Sequence, residues 1–225
     1  HLRALWRIGA PSGLQFQLDV ASFVVLAGLL AWAGDAHLAA HVVVVRIVMT
    51  SFLPCHALSE ATGVLVGQSL GAGLPDQARR AMRIGIVQAV GVMLAFAVVF
   101  VAVPDELVAV FGADGEVVAI ATPIILLYAM LQVLDGIAVV GFGALTGAGD
   151  TRFTMQSSLA AAWLVKLPIA VVAVLGLGLG AYGAWLGLAG DILFSVTVVG
   201  WRVRGTQWLR GPAVGPRLLM EPAGS

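Results

Sequence analysis

From Leu5 to Val203 the chain is a succession of apolar runs, each closed by glycine, proline or acidic residues. A membrane-spanning helix needs about 20 mainly apolar residues. Six runs reach that length: Leu5 to Ala33, Leu38 to Leu70, Pro75 to Val103, Val117 to Thr146, Gly149-Asp150 to the glycines around Gly178, and Ala181 to Val203. The Val-rich patches, such as Val42 to Val45, are apolar on every face, whereas a transmembrane β-strand alternates in polarity. The expected fold is therefore an all-α integral membrane protein with six transmembrane helices. Only 11% of the residues are charged, against roughly a quarter in soluble domains, so a water-soluble fold lacks the polar surface it would need. A formal net charge of zero argues against a nucleic-acid partner and leaves the lipid bilayer as the expected environment.

Basic residues set the expected orientation. Arg3 and Arg7 precede the first run, Arg79, Arg80 and Arg83 follow the second, Arg152 follows the fourth, and Arg202, Arg204, Arg210 and Arg217 follow the sixth. The alternate connections hold Asp35, Asp105, Glu106, Asp114 and Glu116 but no Lys or Arg. Both ends of the chain are thus expected on the cytoplasmic side of the cell (inner) membrane. Residues 1–205 form the helical bundle in this reading, and residues 206–225, with Gly and Pro but no long apolar run, form a flexible cytoplasmic tail.

Six ionisable residues fall inside the apolar runs: Asp19, Arg46, Glu60, Asp135, Lys166 and Asp191. Each costs about 2.5–3.5 kcal/mol at mid-membrane on insertion scales, so such groups face a bundle interior or a wet cavity and carry function by default. Ser12, Gln15, Asp19 and Ser22 recur at helical spacing on the first run, as do Tyr128, Gln132 and Asp135 on the fourth. Counting from Arg7 and from Thr146 places the two carboxylates roughly 16–18 Å from the same membrane face. Two acids at one depth suit a cation-coupling site, because a shared proton or cation relieves their repulsion; separate satisfaction by Ser, Gln or water is the structural alternative. Arg46 is a counter-charge candidate for Asp19. Glu60, with His56 one turn away, suits either a proton relay or a cap on the disturbance from Pro54. Lys166 and Asp191 stand equally far from Gly178 and are expected to form a structural ion pair. His37 and His41 share a helix face but have no third ligand nearby, so no metal site is expected. Gly183 and Gly187 read as a helix-packing face. No catalytic or cofactor motif is present, so enzyme activity and an organic cofactor are not expected.

Several segments carry a family resemblance: Gly9-Ala10-Pro11, Leu38-Ala39-Ala40-His41, Pro54, Val66-Gly67-Gln68-Ser69-Leu70-Gly71-Ala72-Gly73 and Leu145-Thr146-Gly147-Ala148-Gly149-Asp150-Thr151. Together they resemble the MATE (multidrug and toxic compound extrusion) transporters over about residues 3–205. The resemblance implies the C-terminal six-helix lobe of a twelve-helix protein, with an N-terminal lobe as its partner. It implies alternating access, with small cationic or amphipathic substrates expelled in exchange for H⁺ or Na⁺. It also implies that Asp19, eight residues after Pro11, and Asp135, with Gln132 beside it, are the cation-coupling carboxylates; Glu is the form the family favours at the first position. Arg46, a fixed positive charge, favours H⁺ over Na⁺. Two other functions remain open at this point. A lipid-linked oligosaccharide flippase of related architecture would favour a larger basic cavity, and a non-transporting scaffold would use the buried charges for packing alone.

Overall fold

The computed structural model describes the backbone of residues 2–210 and the side chains of residues 17–209 except Asp19. The chain runs as helices α1 (Leu2–Ala33), α2 (Asp35–Gly71), α3 (Pro75–Ala102), α4 (Pro104–Ala109) and α5 (Gly115–Gly147). A continuous rod over Thr151–Gly176 follows. It comprises α6 (Thr151–Leu159), a π-helical stretch Ala160–Lys166, α7 (Leu167–Val171) and a second π-helical stretch Val172–Gly176. Helix α8 (Gly180–Arg204) and a 3₁₀ turn (Gln207–Arg210) complete the described residues. Helices α2, α3, α5 and α8 and the rod are each long and apolar enough to cross a membrane, and Val20–Ala33 of α1 is a shorter apolar segment. The protein is a multi-pass, all-helical membrane protein.

The breaks follow local chemistry. Gly34 (φ 127°) lets the chain turn between α1 and α2 without a helical residue in between. Asp114 opens α5 as its N-cap, its Oδ1 accepting from the Val117 N–H at 3.0 Å. The short helix α4 does not show in the hydropathy pattern, because six residues cannot display helical periodicity. Pro104 at its start and Asp105 and Glu106 in its first turn suit a helix N-terminus. It is pinned by the fully buried Val108 and by the Thr122 hydroxyl, which donates to Asp105 Oδ1 at 2.6 Å.

Helix α5 is the axis of the lobe, packed against α2, α3 and α8. Its tightest seam is with α2. A Cβ on Gly147 would lie 2.0 Å from the Gly63 carbonyl oxygen, and one on Gly63 2.7 Å from that of Gly143. Ser59 continues the seam, donating from Oγ to the Val139 carbonyl at 2.8 Å. Small residues at four-residue spacing thus bring two backbones together where apolar burial alone gives no drive in lipid. Gly183 and Gly187 of α8 do the same against the rod: Cβ atoms there would meet Ala173 and the Lys166 carbonyl at 2.8 and 2.5 Å.

Two buried clusters flank the middle of the bundle. One, with Leu26, Val44, Phe100, Ile124 and Trp185, fills the end bearing Asp114. The other, with Val66, Met82, Leu145 and Trp208, fills the end bearing the arginines. Trp208 changes the picture of residues 206–210, the first part of the segment expected to be a flexible tail. Its indole is buried and donates to the Val203 carbonyl at 3.3 Å, and Arg202 reaches Gln207. Residues 211–225 lie outside the described residues.

Candidate functional site

Asp135 sits on α5 twelve residues before Gly147, roughly 18 Å by the helical rise. This places it deep in the span, between the two apolar clusters. Tyr128, two turns earlier on the same face, donates its hydroxyl proton to Asp135 Oδ2 at 2.8 Å. The Tyr128 oxygen is also within hydrogen-bonding reach of Ser51 on α2, whose own hydroxyl donates to the Val48 carbonyl at 2.9 Å. Cys55, one turn beyond Ser51, approaches the Gly136 carbonyl with its sulfur at 4.0 Å. Asp135 itself is half-buried, whereas Tyr128 and Gln132 are buried. The Tyr128 ring packs edge-on against Trp185, which in turn meets His41. This aromatic stack closes the site on the Asp114 side.

Gln132, three residues before Asp135, is fully buried, and neither its amide nitrogen nor its amide oxygen has a partner among the described residues. An unsatisfied buried polar group costs about 1–3 kcal/mol. It stands beside a carboxylate inside a membrane span, where such a group calls for a partner.

Helix α5, which carries Asp135, packs against α8, which carries Asp191. The Lys166 ammonium lies 3.5 Å from Asp191 Oδ2, and both side chains are largely removed from solvent, at 3% and 21% exposure. The expected depth match between Lys166 and Asp191 is thus realised as a direct ion pair. Ser195, one turn from Asp191 on α8, adds a long hydroxyl contact to Oδ1 at 3.4 Å. The ammonium also stands 4.3 Å from the centre of the Phe23 ring of α1, a cation–π contact.

The other candidates divide by position. Asp19 and Gln15 lie on α1, and their side chains are outside the described residues. By register, Asp19 is one turn before Phe23. Arg46 and Glu60 are exposed on α2, and neither has an ion-pair partner among the described residues. Thr50 and His56 are exposed on the same helix, with the His56 ring tilted against Phe52. His37 and His41 serve packing: the His37 Nδ1 accepts from the Ala181 N–H at 3.3 Å, and His41 is buried beside Trp185.

Four contributors were not singled out from the sequence: Ser51, Phe23, Trp185 and Ser195. Ser195 and Phe23 each stand one turn after an intramembrane acid, so helical spacing was available as a signal. Ser51 and Trp185 reach the site from other helices, and only tertiary packing brings them there.

With that geometry in place, comparison with known proteins gives a consistent answer. The MatE family model matches residues 11–172. A probable multidrug resistance protein NorM of Deinococcus radiodurans is 39% identical over 206 residues, covering 89% of this chain and 46% of that protein. The protein of the same description from Pseudomonas putida is 35% identical over 193 residues, covering 84% and 42%. Among solved structures, an outward-facing multidrug resistance MATE family transporter superposes with a TM-score of 0.84 at 16% identity, over 93% of this chain and 47% of that one. The eukaryotic MATE transporter AtDTX14 superposes with a TM-score of 0.79 at 23% identity, over 92% and 47%. At such identities the superpositions establish the fold. The chain spans about half the length of the curated relatives it matches.

Proposed function

This chain belongs to the MatE family, and on that premise we propose that it forms one six-helix lobe of an exporter that expels small cationic or amphipathic compounds in exchange for protons. The observation that carries this reading is the Tyr128–Asp135 hydrogen bond, deep in the span and within reach of Ser51. An ionised Asp135 accepts from the Tyr128 hydroxyl. When a proton arrives, the carboxylic acid becomes a donor toward the Tyr128 oxygen, and the phenolic proton turns to Ser51 on α2. One proton on Asp135 thus reverses the bond within α5 and adds a bond between α5 and α2. A ligand moves a conformational equilibrium only through such differential contacts. Asp19 on α1 is the second coupling carboxylate in this reading.

The exposed face of α2 carries Arg46, Thr50, His56 and Glu60 among apolar residues such as Leu53, and charges there are costly against lipid. We assign it to a wet central cavity closed by an N-terminal lobe. A fixed cation on that wall favours H⁺ over Na⁺. The basic end of the bundle, with Arg79, Arg80 and Arg83, faces the cytoplasm in the inner membrane. The names of the relatives, multidrug resistance proteins, support drug-like substrates.

The test is efflux of a fluorescent cationic dye from vesicles carrying the full-length transporter, under an imposed pH or Na⁺ gradient. Proton-driven efflux is expected in the wild type and is lost in Asp19→Asn and Asp135→Asn variants that still fold. Normal transport by both variants overturns the site. Efflux driven by Na⁺ alone overturns the choice of ion.

A further inference from the structure

Between α2 and α3, at the end of the bundle that carries the arginines, lies an open cleft of about 390 Å³. Each helix contributes one wall, a stripe of residues at three- and four-residue steps. Gly73 (φ 74°) turns the chain between the two helices, so the stripes run antiparallel from a common mouth. Thr62 and Gly85 hold the helices together within the cleft, where a Cβ on the glycine would collide with the Thr62 side chain.

The walls change character with depth. At the mouth stand Arg80 and Gln77 of α3 and Ser69 of α2. Ser69 donates its hydroxyl proton to the Leu65 carbonyl at 2.7 Å, which leaves the Arg80 guanidinium and the Gln77 amide as the side-chain donors of the mouth. Below it the walls are Leu65, Ala61 and Leu58 of α2 and Ala81 and Ile84 of α3. The one polar interruption at depth is Gln88, eight residues and about 12 Å past Arg80; its Cα–Cβ bond tilts back toward the mouth, because α3 begins there. Between residues 61 and 90 the charges are Arg79, Arg80 and Arg83 against Asp76 alone, three positive and one negative, so this end of the cleft carries a net positive charge of two. All four are exposed. A second cleft, of about 480 Å³ between α1 and the rod, is lined by Leu18, Leu159, Trp163 and Leu164 with Gln156 and has no charged wall. Acyl chains suit both clefts, and only the first has a cation to select a headgroup.

We propose that the α2–α3 cleft is a binding site for an anionic glycerophospholipid from the leaflet at the arginine-bearing end. The phosphate meets Arg80 and Gln77, and an acyl chain lies along Leu65, Ile84 and Leu58. A guanidinium suits this task because its planar fork gives a phosphate two parallel hydrogen bonds. Basic pockets between spanning helices are where anionic headgroups are held. Arg79 and Arg83 do not line the cleft and contribute through their field. A lipid so placed touches both helices and stabilises the folded pair by mass action. The site is independent of the Asp135 region and of the transport reading.

The test titrates the full-length transporter, in a neutral detergent, with phosphatidylglycerol and with phosphatidylcholine of the same chains, and reads the melting temperature against lipid concentration. Phosphatidylglycerol should raise it at the lower concentration. Arg80→Gln should weaken that response by about tenfold, the scale of one charge-assisted hydrogen bond, and leave the phosphatidylcholine response as it was. Arg152→Gln, at an exposed arginine of the same end that does not line the cleft, should leave both responses unchanged. Ala61→Phe, which fills the cleft and keeps every arginine, should weaken the phosphatidylglycerol response. Equal responses of the wild type to the two lipids overturn the site, as they would if an N-terminal lobe filled the cleft. Equal losses in Arg80→Gln and Arg152→Gln overturn it too, by reducing the effect to general surface charge. If Arg80→Gln does not fold, an undiminished response in Ala61→Phe overturns the site by itself. Stabilisation by inorganic phosphate at the same concentrations would overturn the lipid as occupant.

Discussion

Two ion pairs in this lobe are built alike and sit in different media. Arg202 and Asp150 meet at 2.7 Å, with the guanidinium 4.7 Å from the Phe153 ring. Lys166 and Asp191 meet at 3.5 Å, with the ammonium 4.3 Å from the Phe23 ring. Each is an aspartate, a cation and an aromatic face; the Lys166 pair draws them from three elements, whereas Asp150 caps the helix that carries Phe153. The first lies at the arginine-bearing end, with side chains 18% and 17% exposed; the second lies in the span, with its lysine almost fully enclosed. Distance alone ranks the first as the stronger. Position reverses the order of consequence, because removing one partner of a pair inside the span strands the other charge away from bulk water, whereas water and counter-ions absorb the same loss at a membrane face.

The sharpest way to break this comparison is Lys166→Met, which should cost about 3–5 kcal/mol by stranding Asp191. Thermal unfolding in detergent reads the loss, and Lys166→Met/Asp191→Leu should recover most of it. A cost below that of the Arg202 pair would sink the argument from medium. Next in size is Gly147→Ala, a check that involves no charge. Overpacking the α2–α5 seam should cost about 1–3 kcal/mol, while Gly91→Ala, where a Cβ meets nothing within 4 Å, should leave the melting temperature unchanged or slightly raised. Phe23→Leu removes the ring from Lys166 and should cost about 1 kcal/mol, by the usual scale of a cation–π contact. Asp150→Asn should cost under about 1 kcal/mol. Only this last effect should shrink as salt is raised during the melt, since salt screens exposed charges far better than enclosed ones.

Much of the site was legible before any coordinates. Tyr128 and Asp135 share a helix face at seven-residue spacing, and they are hydrogen-bonded. Lys166 and Asp191 were matched by depth across a glycine turn, and they are an ion pair. Such matches succeed because a helix converts sequence spacing into direction and length. The aromatic neighbour of Tyr128 is different in kind. Trp185 is 57 residues away on a helix whose position depends on how α8 seats against α5, and no spacing within one helix encodes that. The α2–α5 seam was hidden for the same reason. Gly63 and Gly67 on one helix and Gly143 and Gly147 on another become a motif only once the two helices are side by side.

Hydropathy and punctuation by themselves therefore determined that the chain is a helical membrane protein, where its long helices run, and which few charges enter the span. Those properties are local: the bilayer requires each span to be apolar and to satisfy its own backbone, so each span carries its own record. Tertiary structure alone decided which charges meet, which aromatic rings cover them, and that Trp208 folds back onto the bundle. Those outcomes depend on contacts between distant segments, and they are set by the close approach of small residues across helix faces rather than by the character of any one helix.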